Sequence, residues 1–157
     1  MKNSKNLIKE YLVSKGIVFE ELFHESAGNP IEYSKKIGTR LENQAKALLL
    51  RCKKNGGEKI YVIVAVPANK KVDFDIISKK IGNNIKSIRV AEKEQLLELT
   101  GCQSGELPPL GKLWGIQVLL DKDLFLEPKI YFNSGSLKYS IIADPHDIAR
   151  IEDAILI

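Results

Sequence analysis

Residues 44–66 read QAKALLLRCKKNGGEKIYVIVAV, two apolar runs on either side of a glycine-rich turn. Apolar runs of this length that are rich in branched residues favour β-strands, and Asn55-Gly56-Gly57 can adopt the positive backbone angles of a tight hairpin. We therefore predict strands over residues 45–53 and 58–66, joined as a hairpin. The remaining elements flank this hairpin in the chain.

Lys46 opens the first of these strands on an otherwise apolar face. Side chains alternate along a strand, so Lys46 shares a face with Leu48 and Leu50. A charged amine is costly to bury without a partner, so Lys46 either reaches water at the strand end or meets an anion. Lys46 is therefore the first candidate for a functional side chain.

Helices and further strands are predicted on both sides of the hairpin. Helical spacing and glycine or proline boundaries predict helices before Gly16 and over residues 30–38, 73–81, 91–99 and 145–151. Strands are predicted over residues 17–23, 88–90, 115–120, 129–133 and 137–143. Because helices and strands are interspersed and some connections are hairpins, we predict an α/β fold with a mixed β-sheet and helices packed around it.

Composition limits the class of protein. With 157 residues, 44% of them hydrophobic, the chain can bury a substantial core, and we predict that residues 1–157 form one domain. No apolar run approaches the ~20 residues that a membrane helix needs. The N-terminus also lacks the apolar core of a signal peptide. We therefore expect a cytoplasmic protein with no membrane partner.

Several common kinds of site have no signal in the sequence. No GxGxxG follows the first strand and no GxxxxGK[ST] occurs, which disfavours dinucleotide and P-loop sites. Cys52 and Cys102 form no CxxC pair, and the two histidines, His24 and His146, have no metal-ligand spacing. We expect no metal and no cofactor, and we interpret both histidines as surface or cap-associated residues.

Residues 101–111, GCQSGELPPLG, form a loop whose backbone can bend closely around a ligand. N–H groups fixed by such a loop can stabilise an oxyanion without an acidic or basic side chain. The alternative is a structural connection between a helix and a strand. The candidate catalytic residues of this loop are Gly105, Pro108, Pro109 and Gly111.

A second polar segment joins the last two predicted strands. Its amide and hydroxyl groups can hydrogen-bond a ribose or an amino group, although most such sequences are ordinary turns. The candidate substrate-binding residues here are Asn133, Ser134, Gly135 and Ser136.

The basic residues indicate a polyanionic binding partner only weakly. The formal net charge of +4 tolerates a nucleic acid but does not by itself indicate one. Lys53 and Lys54 lie near the glycine-rich turn and are candidates for phosphate contacts. A solvated surface is the alternative interpretation of this pair.

Three features together resemble the YbaK/ProX family of aminoacyl-tRNA deacylases: Lys46 in its QAKALLL strand, the stretch from Gly105 to Gly111, and the NSGS turn with the strand after it. The resemblance runs from about residue 19 to residue 148, and the same fold serves as the editing domain of bacterial prolyl-tRNA synthetases. It implies an α/β fold around a mixed, strongly curved β-sheet with surrounding helices, and hydrolysis of mischarged tRNA without a required metal. It also implies that Lys46 is the signature site lysine and that the loop lies beside the scissile ester.

The expected reaction is hydrolysis of the ester that joins an incorrect small amino acid to the terminal adenosine of tRNA. Because the chain is too short to contain a synthetase active site, we expect a free-standing enzyme that acts on the acceptor end of charged tRNA. A synthetase partner is left open, as is the oligomeric state. Lys46 could bind phosphate or ribose, orient the ester or stabilise developing charge, and the sequence does not choose among these roles.

The chain departs from the pattern of this family in two places, one in the loop and one in the hairpin. Leu110 precedes the last glycine of the loop where several relatives have phenylalanine, and Lys138-Tyr139 stands where a histidine often occurs. These departures leave the amino acid specificity open. Two alternatives to the deacylase remain, namely a non-catalytic tRNA- or synthetase-binding module of the same fold and a hydrolase of another small acyl ester.

Overall fold

The structure, a computed structural model, describes residues 3–27, 29–82 and 84–157. The helices in this part of the chain are α1 (Ser4–Ser14), α2 (Pro30–Ile37), α3 (Phe74–Ile81), α4 (Lys93–Thr100) and α5 (Pro145–Glu152). The strands are β1 (Phe19–Phe23), β2 (Ala45–Lys54), β3 (Lys59–Pro67), β4 (Ile85–Val90), β5 (Gln117–Leu120), β6 (Ile130–Asn133), β7 (Tyr139–Ala143) and β8 (Ile155–Leu156). None of the described helices is long and apolar enough to cross a membrane.

The strands form two sheets that meet near the start of β2. The larger sheet has the order β4-β2-β3-β5-β8 and is mixed, because β2 is antiparallel to its neighbours whereas β5 is parallel to both of its own. The smaller sheet, β1-β7-β6, is antiparallel. A parallel bridge between Gln44 and Tyr131 links the two. The predicted α/β fold with a mixed sheet is confirmed, with its strands divided between two sheets.

The central hairpin forms as the sequence predicts. β2 and β3 pair antiparallel, and Gly57 in the turn between them has a φ of 94°. Leu48 and Leu50 of β2 pack in one core cluster, whereas Leu49 packs in the other. This alternation places Lys46 on the face of Leu48 and Leu50, at the end of the strand.

Some boundaries differ from the prediction for local reasons. α4 begins at Lys93 rather than residue 91, because Glu92 is its N-cap and forms a capping box with Gln95. β4 begins at Ile85, which pairs with Lys54 beyond an irregularity in β2. β8 was not predicted, because two residues carry no periodicity; it forms by parallel pairing against β5.

Candidate active site

A cavity of about 310 Å³ opens where the two sheets meet. The start of β2, the first turns of α2, the end of β6 and the loop after α4 contribute to its wall. Its apolar side chains include small ones, namely Ala27, Ala45, Ala47 and Ala68. Among the described residues that line it, Lys46 alone carries a charge.

Lys46 is half-buried, and its ammonium has little to neutralise it. Among the described residues, Lys46 Nζ donates to the carbonyl oxygen of Lys70, at 3.5 Å. The carboxylates of Asp121 and Asp123 pair with the Lys70 ammonium instead, at 2.9 Å from each, and their hydrogen bonds raise the pKa of Lys70. Lys46 therefore presents an uncompensated positive charge to the cavity.

The first half of the glycine-proline loop reaches the cavity wall. Ser104, Gly105 and Leu107 line it, and Gly105 has a φ of 86°, in the region that favours glycine. The N–H groups of Ser104 and Gly105 have no acceptor among the described residues. They are therefore free to bind an oxygen of a ligand.

The second half of the loop turns away and packs into the protein. Pro108, Pro109 and Gly111 are buried and do not line the cavity. Prolines have no N–H to donate, and the Gly111 N–H donates to Glu152 Oε1 at 2.8 Å. A Cβ on Gly111 would also overlap the carbonyl of Ile116. These three residues therefore anchor the loop behind the cavity instead of presenting groups to it.

The carboxylate of Glu152 is the centre of this anchor, and its removal should destabilise the protein. It is 2% exposed and accepts hydrogen bonds from the N–H groups of Gly111 and Lys112 and, at 2.5 Å, from Tyr11 Oη. We expect Glu152→Ala to lower the free energy of unfolding by about 2 to 4 kcal/mol, because three donors lose their acceptor. Glu152→Gln keeps an oxygen acceptor and should lose less. Urea unfolding measures both, and equal losses would contradict the anchoring role.

The NSGS segment forms the predicted turn between β6 and β7, and one of its four residues reaches the cavity. That residue is Asn133, whose Nδ2 donates to the carbonyl of Gly105 at 3.1 Å. The N–H of Gly135 donates to the carbonyl of Glu106 at 2.8 Å. The other residues of the segment, which lie off the cavity wall, are Ser134, Gly135 and Ser136. The turn therefore holds the glycine-proline loop from the side.

Lys53 and Lys54 lie at the other end of β2 from Lys46. Seven residues at the ~3.3 Å rise of a strand put Lys53 about 23 Å from Lys46. Lys54 Nζ is 3.4 Å from a carboxylate oxygen of Glu58. Neither lysine lines the cavity, so any phosphate that they contact belongs to a distant part of a large ligand.

Gln44 is a cavity residue that the sequence analysis did not select. Its Nε2 lies 2.6 Å from Ser34 Oγ and 3.0 Å from Thr39 Oγ1, which holds α2 against the start of β2. An amide that directly precedes an apolar strand was the available signal, since a buried polar side chain needs partners.

Ser140 and His24 form a polar network behind the cavity that the sequence analysis also missed. Ser140 is fully buried in β7, and His24 Nε2 is 2.8 Å from its Oγ. His24 is therefore more than the surface residue that we expected. His146 does match the expectation, because it is exposed beside Asp144, the N-cap of α5.

The two cysteines are poor candidates for reactive thiols, and the described acidic residues form no metal site. Cys52 and Cys102 are free and buried, and burial raises the pKa of both thiols. Among the described residues, no group of three histidine, cysteine, aspartate or glutamate side chains is placed to hold a metal ion.

Known proteins are similar to this chain in sequence. Residues 24–151 match the model of the aminoacyl-tRNA editing domain. The chain is 31% identical over 147 residues to the multifunctional Ser/Thr-tRNA deacylase ProXp-y of Escherichia coli (strain K12), an alignment that covers 93% of this chain and 86% of the relative.

Solved structures show the same fold. A crystal structure of the hypothetical protein APE2540 superimposes with a TM-score of 0.81 at 20% identity, covering 95% of each chain. A protein described as a proposed trans-editing enzyme for prolyl-tRNA synthetase gives a TM-score of 0.79 at 20% identity, covering 100% of this chain and 96% of the other. The family model and the curated relative agree with the architecture, and the chain belongs to the aminoacyl-tRNA editing domain family.

Proposed function

We propose that this aminoacyl-tRNA deacylase hydrolyses the ester of small amino acids, serine and threonine among them, in the cavity beside Lys46. The observation that carries the proposal is the pairing, on one cavity wall, of an uncompensated lysine with two loop residues, Ser104 and Gly105, whose N–H groups have no acceptor among the described residues. The choice of amino acids is supported by the name of the Escherichia coli relative, a Ser/Thr-tRNA deacylase.

The reaction needs stabilisation of an oxyanion more than it needs a protein base. Water attacks the ester carbonyl, a carbon–oxygen bond forms, and the carbonyl oxygen becomes negative in the tetrahedral intermediate. The N–H groups of Ser104 and Gly105 are the donors that we assign to this oxygen. When the intermediate collapses, the bond to the ribose oxygen breaks and the ribose leaves as a hydroxyl.

The described cavity wall offers no common general base to accept the proton of the attacking water. The described residues that line the cavity include no histidine, cysteine, aspartate or glutamate. We therefore assign proton transfer to the substrate, whose amino group or neighbouring ribose hydroxyl lies beside the ester and can pass the proton to the leaving oxygen.

The charge of Lys46 sets the orientation of the substrate. An ammonium on the amino acid placed 4 Å from Lys46 would be repelled by about 4 kcal/mol at an effective dielectric constant near 20. We therefore place the phosphate and ribose end of the terminal adenosine towards Lys46. The amino acid then faces the alanine-lined part of the wall.

Selection among amino acids follows from the size and polarity of that wall. An apolar pocket separates side chains that differ by one methylene by only about 1–3 kcal/mol, so it admits several small side chains. Gln44 and Asn133 add polar groups that could bind a side-chain hydroxyl. This combination supports small amino acids as a class, with serine and threonine in it.

A panel of charged tRNAs tests the proposed function. Single-turnover deacylation of Ser-, Thr-, Ala- and Phe-tRNA should be fast for serine and threonine and slower by about 100-fold or more for phenylalanine. Tight tRNA binding with no hydrolysis above the spontaneous rate would favour the non-catalytic module. Equal activity on small esters that lack tRNA would favour the other hydrolase.

Contact with the acceptor arm predicts a salt dependence. Lys53→Ala combined with Lys54→Ala should make the log–log salt slope of kcat/KM shallower by about 1.4 to 1.8, since each phosphate contact contributes ~0.7 to 0.9. Hydrolysis at saturating tRNA should change little because these lysines lie far from the cavity. The matched control replaces Lys79 and Lys80 of α3 by alanine. A slope that both double variants leave unchanged would remove Lys53 and Lys54 from the tRNA path.

We further propose that residues 1–157 act as one editing domain in the cytoplasm, on the acceptor end of tRNA. Contacts that link α1 to the end of α4 and to α5 support a single unit, and the two free cysteines suit a reducing compartment. Whether a synthetase delivers the tRNA can be tested by adding prolyl-tRNA synthetase to the deacylation assay and measuring KM. A partner that delivers the tRNA should lower KM. An unchanged KM would argue against such a partner.

A further inference from the structure

Ser140 lies at the centre of a hydrogen-bond network behind the cavity. Its buried Oγ is 2.8 Å from His24 Nε2, 2.6 Å from Tyr33 Oη and 3.2 Å from Asn133 Oδ1. Asn133 continues the network, because its Nδ2 donates to the carbonyl of Gly105 at 3.1 Å. Residues from α2, β6 and β7, and His24 directly after β1, thus form a network that reaches the backbone of the glycine-proline loop.

The partners of the network fix where its hydrogens lie. His24 Nδ1 is 2.8 Å from the carbonyl oxygen of Glu25, which can only accept, so Nδ1 carries a hydrogen. Burial raises the pKa of Tyr33 to about 12, so its hydroxyl stays protonated. The Gly105 carbonyl requires the amino group of Asn133, and this leaves Asn133 Oδ1 facing Ser140.

Three neighbours fill the hydrogen-bonding positions of the Ser140 hydroxyl. A serine hydroxyl donates once and accepts twice. His24 Nε2 and Tyr33 Oη occupy two of these positions, and the third faces Asn133 Oδ1. His24 therefore helps to fix the hydroxyl that holds the carboxamide of Asn133.

We infer that His24 is a positioning residue for the loop: through Ser140 it orients Asn133, which holds the Gly105 carbonyl and so steadies the loop segment that carries the Ser104 and Gly105 N–H groups. The catalytic consequence rests on the proposed function, whereas the effect on the loop does not. Neither His24 nor Ser140 lines the cavity, so their influence passes through the neighbours of Ser140 that do, Asn133 and Tyr33. Of these two, Asn133 bonds the loop.

Kinetics separates positioning from substrate binding. His24→Ala should lower kcat by about 10-fold and leave KM within about twofold, because misdirected donors weaken binding of the transition state more than of the substrate. His24→Gln keeps an N–H that can reach Ser140 and should recover most of the loss. The matched control is His146→Ala, which removes the exposed histidine of α5 and should leave both constants unchanged. A kcat for His24→Ala equal to that of the control would overturn the inference.

A double-mutant cycle tests the route through Asn133. If His24 acts through Asn133, adding His24→Ala to Asn133→Ala should cause little further loss of kcat, since the path is already broken. Losses that multiply would show that His24 acts independently and would contradict the route.

Amide exchange tests the inference without any substrate. The N–H of Glu106 donates to Gln103 and that of Gly135 to Glu106, so their exchange rates report how firmly the loop is held. His24→Ala should speed both rates by about 10-fold or more, and His146→Ala should not. Unchanged rates in His24→Ala would overturn the inference whatever the activity. Faster rates in a protein that deacylates no tRNA would leave the positioning role standing and reject the proposed function.

Discussion

Replacing Lys46 by alanine is expected to lower kcat/KM for deacylation by about 100-fold or more while the protein stays folded. The ammonium is the one charge on the described cavity wall, and its acceptor there is the Lys70 carbonyl, in a long hydrogen bond of 3.5 Å. The substrate therefore loses its cationic partner, whereas the fold loses almost nothing. Single-turnover kinetics beside urea unfolding measures the two effects separately.

Two variants make this test specific to the cavity. Lys53→Ala removes the same charge from the same strand outside the cavity and should retain catalysis at saturating tRNA. Lys46→Arg keeps a charge at the site and should retain more activity than Lys46→Ala. Wild-type rates in a folded Lys46→Ala protein would remove Lys46 from the mechanism.

Placing a side chain on Gly105 is expected to reduce turnover by about 10- to 100-fold while tRNA binding is retained. The residue has a φ of 86°, and a Cβ there would lie 3.1 Å from Leu137 Cδ2. Gly105→Ala therefore shifts the backbone that carries the unbonded N–H groups. Because those groups are assigned to the transition state, kcat should fall more than affinity.

Gly115 provides a matched control for Gly105. It also has a positive φ, 72°, but a Cβ there meets nothing within 4 Å, and the residue lies outside the cavity. Both alanine variants should lose roughly 1–2 kcal/mol of stability from left-handed strain. Only Gly105→Ala should lose turnover. A loss of affinity alone would make the loop a docking element and reject its role as oxyanion donor.

The parts of the fold that were predictable are those determined by residues close together in the sequence. The turn at Asn55-Gly56-Gly57 and its flanking apolar runs specify a hairpin, and alternation along β2 puts Lys46 on the face of Leu48. Pro145 likewise marks the first turn of α5. In each case the signal lies within a few residues of the feature.

The parts that were not predictable depend on contacts between distant residues. Nothing near Gln44 indicates that Tyr131 will bridge to it and join the two sheets. His24 and Ser140 are 116 positions apart, and each resembles an ordinary strand residue when considered alone. The glycines and prolines of the loop indicated a backbone that bends closely around a ligand. They did not indicate that Gly111 would bond Glu152 while Gly105 lined the cavity.

A crystal structure with a non-hydrolysable amide analogue of 3′-seryl-adenosine tests the central claim most directly. The account predicts that the analogue occupies the cavity, with its carbonyl oxygen about 3 Å from the N–H groups of Ser104 and Gly105 and its ribose towards Lys46. An analogue bound with its carbonyl turned away from the loop, or bound outside the cavity, would contradict the account.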